Sequence, residues 1–230
     1  MFYPTKRQFI VGILYFFIGH MLILPPVVFE LTAIFTSGEL FEPLFQFSMI
    51  LISTVFYCYL FRKNIRESFK NIKSLKPLWK LIPLGYIITL ILRFIVSLLI
   101  VLFSYDDLNM GVNQEIVETV IVQAPVLIAI TAIILAPIWE ELFFTGLIFG
   151  KLRKKNRFLA YAVASLSFGL LHTWFGFIVD FDWMLVLITL IYVPSLLVSC
   201  WLYEKTNNIL SAILFHSFAN AFAVFAILLS

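Results

Sequence analysis

Glu140 and Glu141 sit side by side in an apolar stretch that carries no other charge between Ala124 and Gly150. His172 and His216, two of the three histidines, lie in later apolar stretches, and Asn220 follows His216 by four residues. Ionisable groups in lipid are expensive and default to functional sites. Carboxylates and imidazoles move protons, and donors such as imidazole and carboxamide steady a developing oxyanion. Three of the later hydrophobic spans each supply some of these groups, which points to hydrolysis inside a membrane.

The elements that must position them are membrane helices. The chain has 230 residues, 62% hydrophobic and 13% charged, with a mean hydropathy of +1.03. Soluble domains are nearer half apolar and a quarter charged. This length suits a single integral membrane domain over residues 1–230, with a motif-bearing core at 124–230. Cys58 and Cys200 both fall in apolar spans and read as small hydrophobes rather than a disulfide framework. The first apolar stretch is too long for a signal peptide and reads as a retained span.

About 20 apolar residues cross a bilayer as a helix. Seven stretches qualify, near 8–29, 43–61, 81–104, 120–150, 158–178, 184–203 and 208–229. The expected fold is therefore all-α, a polytopic transmembrane bundle of about seven helices, within a range of six to eight. Pro125 and Pro137 should bend or break the long fourth stretch, and Pro25 with Pro26 should disturb the end of the first.

Charge sorts between alternate loops. Lys6 and Arg7, then Arg62, Lys63, Arg66, Lys70, Lys73, Lys76 and Lys80, then Lys151, Arg153, Lys154, Lys155 and Arg157, then Lys205 make 15 of the 16 basic residues. The sixteenth, Arg93, is inside a span. The intervening loops carry acids: Glu30, Glu39 and Glu42; Asp106, Asp107, Glu115 and Glu118; Asp180 and Asp182. The positive-inside rule then places the chain as a multi-pass protein of the cell membrane, N-terminus cytoplasmic and C-terminus outside.

Depth ties the polar groups together. Counted from the cytoplasmic end of each span, Glu140 lies roughly 16 Å deep, His172 roughly 20 Å, His216 roughly 15 Å and Asn220 roughly 20 Å. The hydrocarbon core is about 30 Å thick, so all four share one layer. Taken singly each motif is weak. A lone intramembrane histidine is as often a helix–helix hydrogen-bonding residue, and His-x-x-x-Asn merely puts two polar groups on one helix face. Paired glutamates could equally form a proton relay or a cation site.

In combination, the chain resembles the CAAX-protease and bacteriocin-processing family of intramembrane endopeptidases, which includes the Ras-converting prenyl-protein endopeptidases. Its motifs are Glu-Glu-x-x-x-Arg, Phe-x-x-x-His and His-x-x-x-Asn. This chain reads Glu140-Glu141-Leu142-Phe143-Phe144-Thr145, Phe168-Gly169-Leu170-Leu171-His172 and His216-Ser217-Phe218-Ala219-Asn220. The resemblance covers residues 124–230, and Thr145 stands where the family has arginine.

The resemblance implies that Glu140 is the general base activating water, with His172 holding that water, and that His216 and Asn220 donate to the oxyanion. Glu141, about 100° around the helix from Glu140, is expected to face a different neighbour in support, as are Thr145 and Phe168. Arg93, roughly 20 Å deep in the third span, is the expected substitute for the missing motif arginine, pairing with Glu141 or Glu140. The alternative puts Arg93 on backbone carbonyls or in a separate wet crevice. No cofactor is expected; the alternative is a zinc held by Glu140, His172 and His216.

The expected function is hydrolysis of a peptide bond in a membrane-associated peptide or protein: CAAX-type, bacteriocin or signalling-peptide processing. The expected partners are that substrate and the lipid bilayer, not nucleic acid. The alternative is a non-proteolytic regulator or immunity protein that binds another membrane protein, which Thr145 favours. A small transporter with a carboxylate relay is a third reading, but no pair of related halves is visible. His20, Gly146 with Gly150, and Trp79, Trp139, Trp174 and Trp183 read as structural, and the basic loop 62–80 as setting topology and resting on anionic lipid.

Overall fold

A computed structural model describes residues 3–103, 120–179 and 184–229. The acidic loop residues Asp106, Asp107, Glu115, Glu118, Asp180 and Asp182, and Trp183, lie outside the described residues. The described chain is helical throughout, with no strand. Its elements are α1 (Lys6–Phe35), α2 (Gly38–Leu60), α3 (Arg62–Lys70), α4 (Leu78–Phe103), α5 (Pro125–Leu152), α6 (Arg157–Val179), α7 (Met184–Thr206) and α8 (Leu210–Leu229).

Six of these, α1, α2, α4, α5, α7 and α8, are long and apolar enough to cross a membrane. Helix α6 has 23 residues and spans about 35 Å at the α-helical rise, long enough to match a hydrocarbon core. The chain is a multi-pass helical bundle. Its outward side chains are apolar, as lipid requires: Phe35, Phe94, Leu102 and Phe225 are among the large exposed hydrophobics.

Pro25, Pro26 and Pro137 follow widened turns within continuous helices. Helix α1 runs on to Phe35, beyond the expected end near residue 29, and is π-helical over Tyr15–Ile23, just ahead of Pro25 and Pro26. The chain does break at Ala124, whose backbone is non-helical, and α5 begins at Pro125, where a missing N–H is harmless. Pro137 lies within α5, directly after a π-helical stretch at Thr131–Leu135. A second π-helical stretch, Glu141–Phe149, carries the second glutamate. Such widened turns concentrate at functional sites.

Helix α5 is the axis of the core, and every residue from Trp139 to Gly150 is buried. On one side Trp139 and Phe143 stack with Phe16 and Tyr57, and Tyr57 donates to the carbonyl of Gly12 at 2.9 Å. On the other side α6 and α7 cross closely. A Cβ on Gly169 would stand 2.5 Å from the carbonyl oxygen of Thr189, so only glycine permits this approach. One turn on, the hydroxyls of Thr173 and Thr189 bond at 2.7 Å.

The basic segments converge at one end of the bundle. Asn208, at the α7–α8 turn, is buried and donates to the carbonyls of Ser68 and Asn71 and to the Ser74 hydroxyl. Its own carbonyl oxygen accepts from the N–H of Leu210. Arg153 and Arg157 both reach Glu204 on α7, at 2.6 and 2.7 Å. Lys154 lies over the Tyr3 ring. Residues 62–80, 151–157, the α7–α8 turn and the N-terminus therefore share an end, and the expected loop 62–80 contains a helix, α3.

Candidate active site

Glu141 is fully buried, and both of its carboxylate oxygens are engaged. Oε2 accepts from the Thr145 hydroxyl at 2.6 Å; Oε1 accepts from Ser199 Oγ and from His216 Nδ1, each at 2.9 Å. The carboxylate thus joins α5, α7 and α8. Glu141 is expected to face a different neighbour from Glu140, and its partners include Thr145 one turn on as well as His216. In the π-helical stretch its side chain points at His216 and still meets Thr145 one turn on.

Glu140 is buried as well, and its Oε2 lies 3.7 Å from His216 Nε2. That separation is beyond hydrogen-bond reach, and Oε2 has no hydrogen-bond partner. A buried carboxylate oxygen left open in this way has room in its hydrogen bonding for a water or a substrate atom. His216 stands between the two glutamates, one ring nitrogen toward each.

His172 Nδ1 lies 2.9 Å from the carbonyl oxygen of Phe168. A carbonyl only accepts, so Nδ1 carries the proton; in the neutral ring Nε2 is then a free acceptor. The Phe168 ring packs against both imidazoles, with centroids 4.5 Å from His172 and 5.7 Å from His216. Phe168 thus contacts both motif histidines.

Asn220 donates from Nδ2 to the carbonyl of Ala132 at 2.8 Å. The reason lies in α5. In a π-helical turn the carbonyl of residue i bonds the N–H of i+5, which for Ala132 is Pro137, a residue with no N–H. Asn220 fills that vacancy and so fastens α8 to α5, leaving one amide hydrogen uncommitted.

Arg93 does not pair with either glutamate. Its Nη2 donates to Ser195 Oγ at 2.8 Å, its Nε is buried without a partner, and among the described residues the ion pairs of Glu140 and Glu141 are with His216 alone. The bonds to Glu141 come from Thr145, Ser199 and His216. Among the described residues no three His, Cys, Asp or Glu side chains are grouped so as to hold a metal ion.

Three contributors on α7 escaped the sequence reading. Tyr192 stacks on His172 with centroids 4.3 Å apart, Ser195 holds Arg93 and Ser199 holds Glu141. Their spacing of three and four residues places them on one helix face. Serines and tyrosines are common enough in apolar helices that this spacing alone gave no signal. His20 keeps a structural place: Nδ1 is 2.8 Å from Ser53 Oγ, and its ring lies against Trp139.

Comparison with known proteins agrees with the motifs. Residues 122–222 match the family model described as "Type II CAAX prenyl endopeptidase Rce1-like". The chain is 34% identical over 97 residues to "UPF0177 protein YxdF" of Lactococcus lactis subsp. lactis (strain IL1403), a match covering 41% of this chain and 46% of that protein. It is 28% identical over 166 residues to "Putative membrane peptidase YdiL" of Bacillus subtilis (strain 168), covering 71% of this chain and 61% of that one. Both matches cover less than two thirds of the relative's own length. No solved structure matches. The region that carries the glutamate pair, both motif histidines and the whole of the last motif is thus similar to the Rce1-like CAAX prenyl endopeptidases, the family its motifs resemble.

Proposed function

We propose that this protein is an intramembrane endopeptidase that cleaves a peptide bond of a membrane-associated peptide or protein with glutamate-activated water. The observation that carries the reading is the open, buried Oε2 of Glu140 beside His216, whose other nitrogen is fixed by Glu141. The match to a prenyl endopeptidase family and a relative named as a membrane peptidase support the reaction class.

In this mechanism Glu140 takes a proton from a water held by the free acceptor nitrogen of His172. The water oxygen adds to the scissile carbonyl carbon and its π electrons move to oxygen. His216, when doubly protonated, donates from Nδ1 to Glu141 and from Nε2 toward the oxyanion. In this reading the second amide hydrogen of Asn220 serves the same oxygen. Collapse of the intermediate breaks the C–N bond, and Glu140 returns the proton to the leaving amine. Cleavage occurs within the membrane, with the N-terminus and basic segments cytoplasmic and the C-terminus outside.

The test is comparative proteomics of membranes from cells carrying wild type or Glu140→Gln. Peptides released by wild type and absent from the variant, with equal amounts of folded protein, support the reading. Identical peptide sets from the two would overturn it. The second reading, a non-proteolytic regulator or immunity protein bound to another membrane protein, draws on Thr145 in place of the motif arginine. It predicts that Glu140→Gln keeps full biological activity.

A further inference from the structure

An open apolar groove lies between the start of α4 and the outer face of α8, lined by Leu75, Leu78, Trp79, Ile82, Leu214 and Phe218. Leu214 and Phe218 are four and eight residues into α8, so the groove descends roughly 12 Å from the helix end. Its mouth is basic. Residues 62–80 hold seven basic residues and one acid, Glu67, and none of the seven forms an ion pair among the described residues. Lys76 and Lys80 alternate with the lining residues in sequence, and Lys80 Nζ stands 4.7 Å from the centre of the Trp79 ring. Trp79 and Ile72 are well exposed. The segment is held in place by the three bonds that Asn208 donates into it.

A groove that is apolar at depth and cationic at its mouth matches one kind of molecule, with an acyl chain below and a negative headgroup above. We infer that this groove is a binding site for an anionic phospholipid, its chain against Ile82, Leu214 and Phe218 and its phosphate at Lys76 and Lys80. Zwitterionic lipid fits the apolar part but gains little at the mouth, and a free phosphate fits only the mouth. Because Leu214 and Phe218 flank His216 on α8, a lipid seated here also braces the helix that carries the candidate site. Binding is independent of whether the protein cleaves peptides.

The test is native mass spectrometry of the full chain released from micelles holding equal dioleoyl phosphatidylglycerol and dioleoyl phosphatidylcholine. Phosphatidylglycerol should be retained preferentially, roughly tenfold or more, the order expected for two lysines beside an anionic headgroup. Lys76→Gln with Lys80→Gln should erase the preference, and Lys76→Arg with Lys80→Arg should keep it. Ile82→Trp, which fills the groove without touching charge, should weaken retention of both lipids. Lys155→Gln with Lys205→Gln is the charge-matched control and should change nothing. Equal retention of the two lipids, an equal loss in the control pair, no effect of Ile82→Trp, or displacement by millimolar glycerol phosphate would each overturn the assignment.

Discussion

Nδ1 of His216 donates to Oε1 of Glu141 across 2.9 Å, joining the third motif to the second glutamate of the first. The bond fixes the ring's orientation and aims Nε2 at Glu140. The two adjacent glutamates therefore have different surroundings: Glu141 has both oxygens engaged, whereas Oε2 of Glu140 has no hydrogen-bond partner.

Glu141→Ala should cost more stability than any other single change at the site. It strands Thr145 and Ser199 hydroxyls and an imidazole in a dry interior. Breaking a buried, hydrogen-bonded charge typically costs about 3–5 kcal/mol. Glu141→Gln keeps the shape and part of the bonding, and should fall between alanine and wild type. Thermal unfolding in detergent gives the order. Alanine and glutamine variants as stable as wild type would show that Glu141 is not the clasp joining α5, α7 and α8.

Thr145 makes a related prediction. Its hydroxyl is 2.6 Å from Glu141 and its side chain is fully buried, near Cys200. Thr145→Val keeps the volume and removes the donor, which should destabilise the protein by about 1–3 kcal/mol, whereas Thr145→Ser should be milder. Thr145→Arg restores the family's residue but overfills a packed site. Because Arg93 sits on Ser195 rather than on the glutamates, Arg93→Ala should not be rescued by Thr145→Arg. Paired unfolding and cleavage measurements on the double variant check this, and recovery would revive the idea of charge compensation.

Gly169→Ala tests how the second motif is held. The added methyl would meet the Thr189 carbonyl oxygen at 2.5 Å and Thr189 Cγ2 at 2.9 Å. Backbone cannot yield cheaply, so α6 and α7 must separate. His172 lies one turn from Gly169, and its ring rests on Tyr192 of α7. A stability loss of about 1–3 kcal/mol is expected for such overpacking, with a larger fractional loss of proteolysis. A fully active Gly169→Ala protein would show that the close crossing does not position His172.

The spans were legible in the sequence because lipid demands long apolar runs, and the site residues because charge in such runs is rare. The prolines were only half legible. Pro125 does start a helix, but Pro25, Pro26 and Pro137 sit in continuous helices, since neighbouring π-helical turns and a side chain from another helix absorb the missing N–H groups. Helix α3 was hidden by its charge: read as a basic loop, Arg62–Lys70 is held to the bundle through Asn208, a contact between residues far apart in the chain. Arg93 was assigned to the glutamates because it is the one basic residue inside a span, shares their depth, and would be costly to leave unpaired there. Depth fixes a layer but not an azimuth, and Ser195 lay nearer in that layer. Ser199 and Tyr192 had no signal of their own until their helix face was known.

Asn220 carries the most discriminating prediction, because it has a structural task that can be removed without touching it. Its amide satisfies the Ala132 carbonyl that Pro137 leaves open. Asn220→Ala in the wild-type background should cost about 1–3 kcal/mol, the penalty for a buried acceptor left unpaired. Pro137→Ala supplies an N–H at the position the π-helical turn aims at, so in that background Asn220→Ala should cost much less. The double-mutant cycle should therefore show a coupling of about 0.5–3 kcal/mol in thermal unfolding. Proteolysis is expected to respond differently. If Asn220 also donates to the oxyanion, activity lost in Asn220→Ala stays lost when Pro137→Ala restores stability. Recovery of both stability and cleavage would assign Asn220 to the clasp alone and remove it from the proposed oxyanion site. An uncoupled cycle would show instead that the proline has no part in why asparagine occupies position 220.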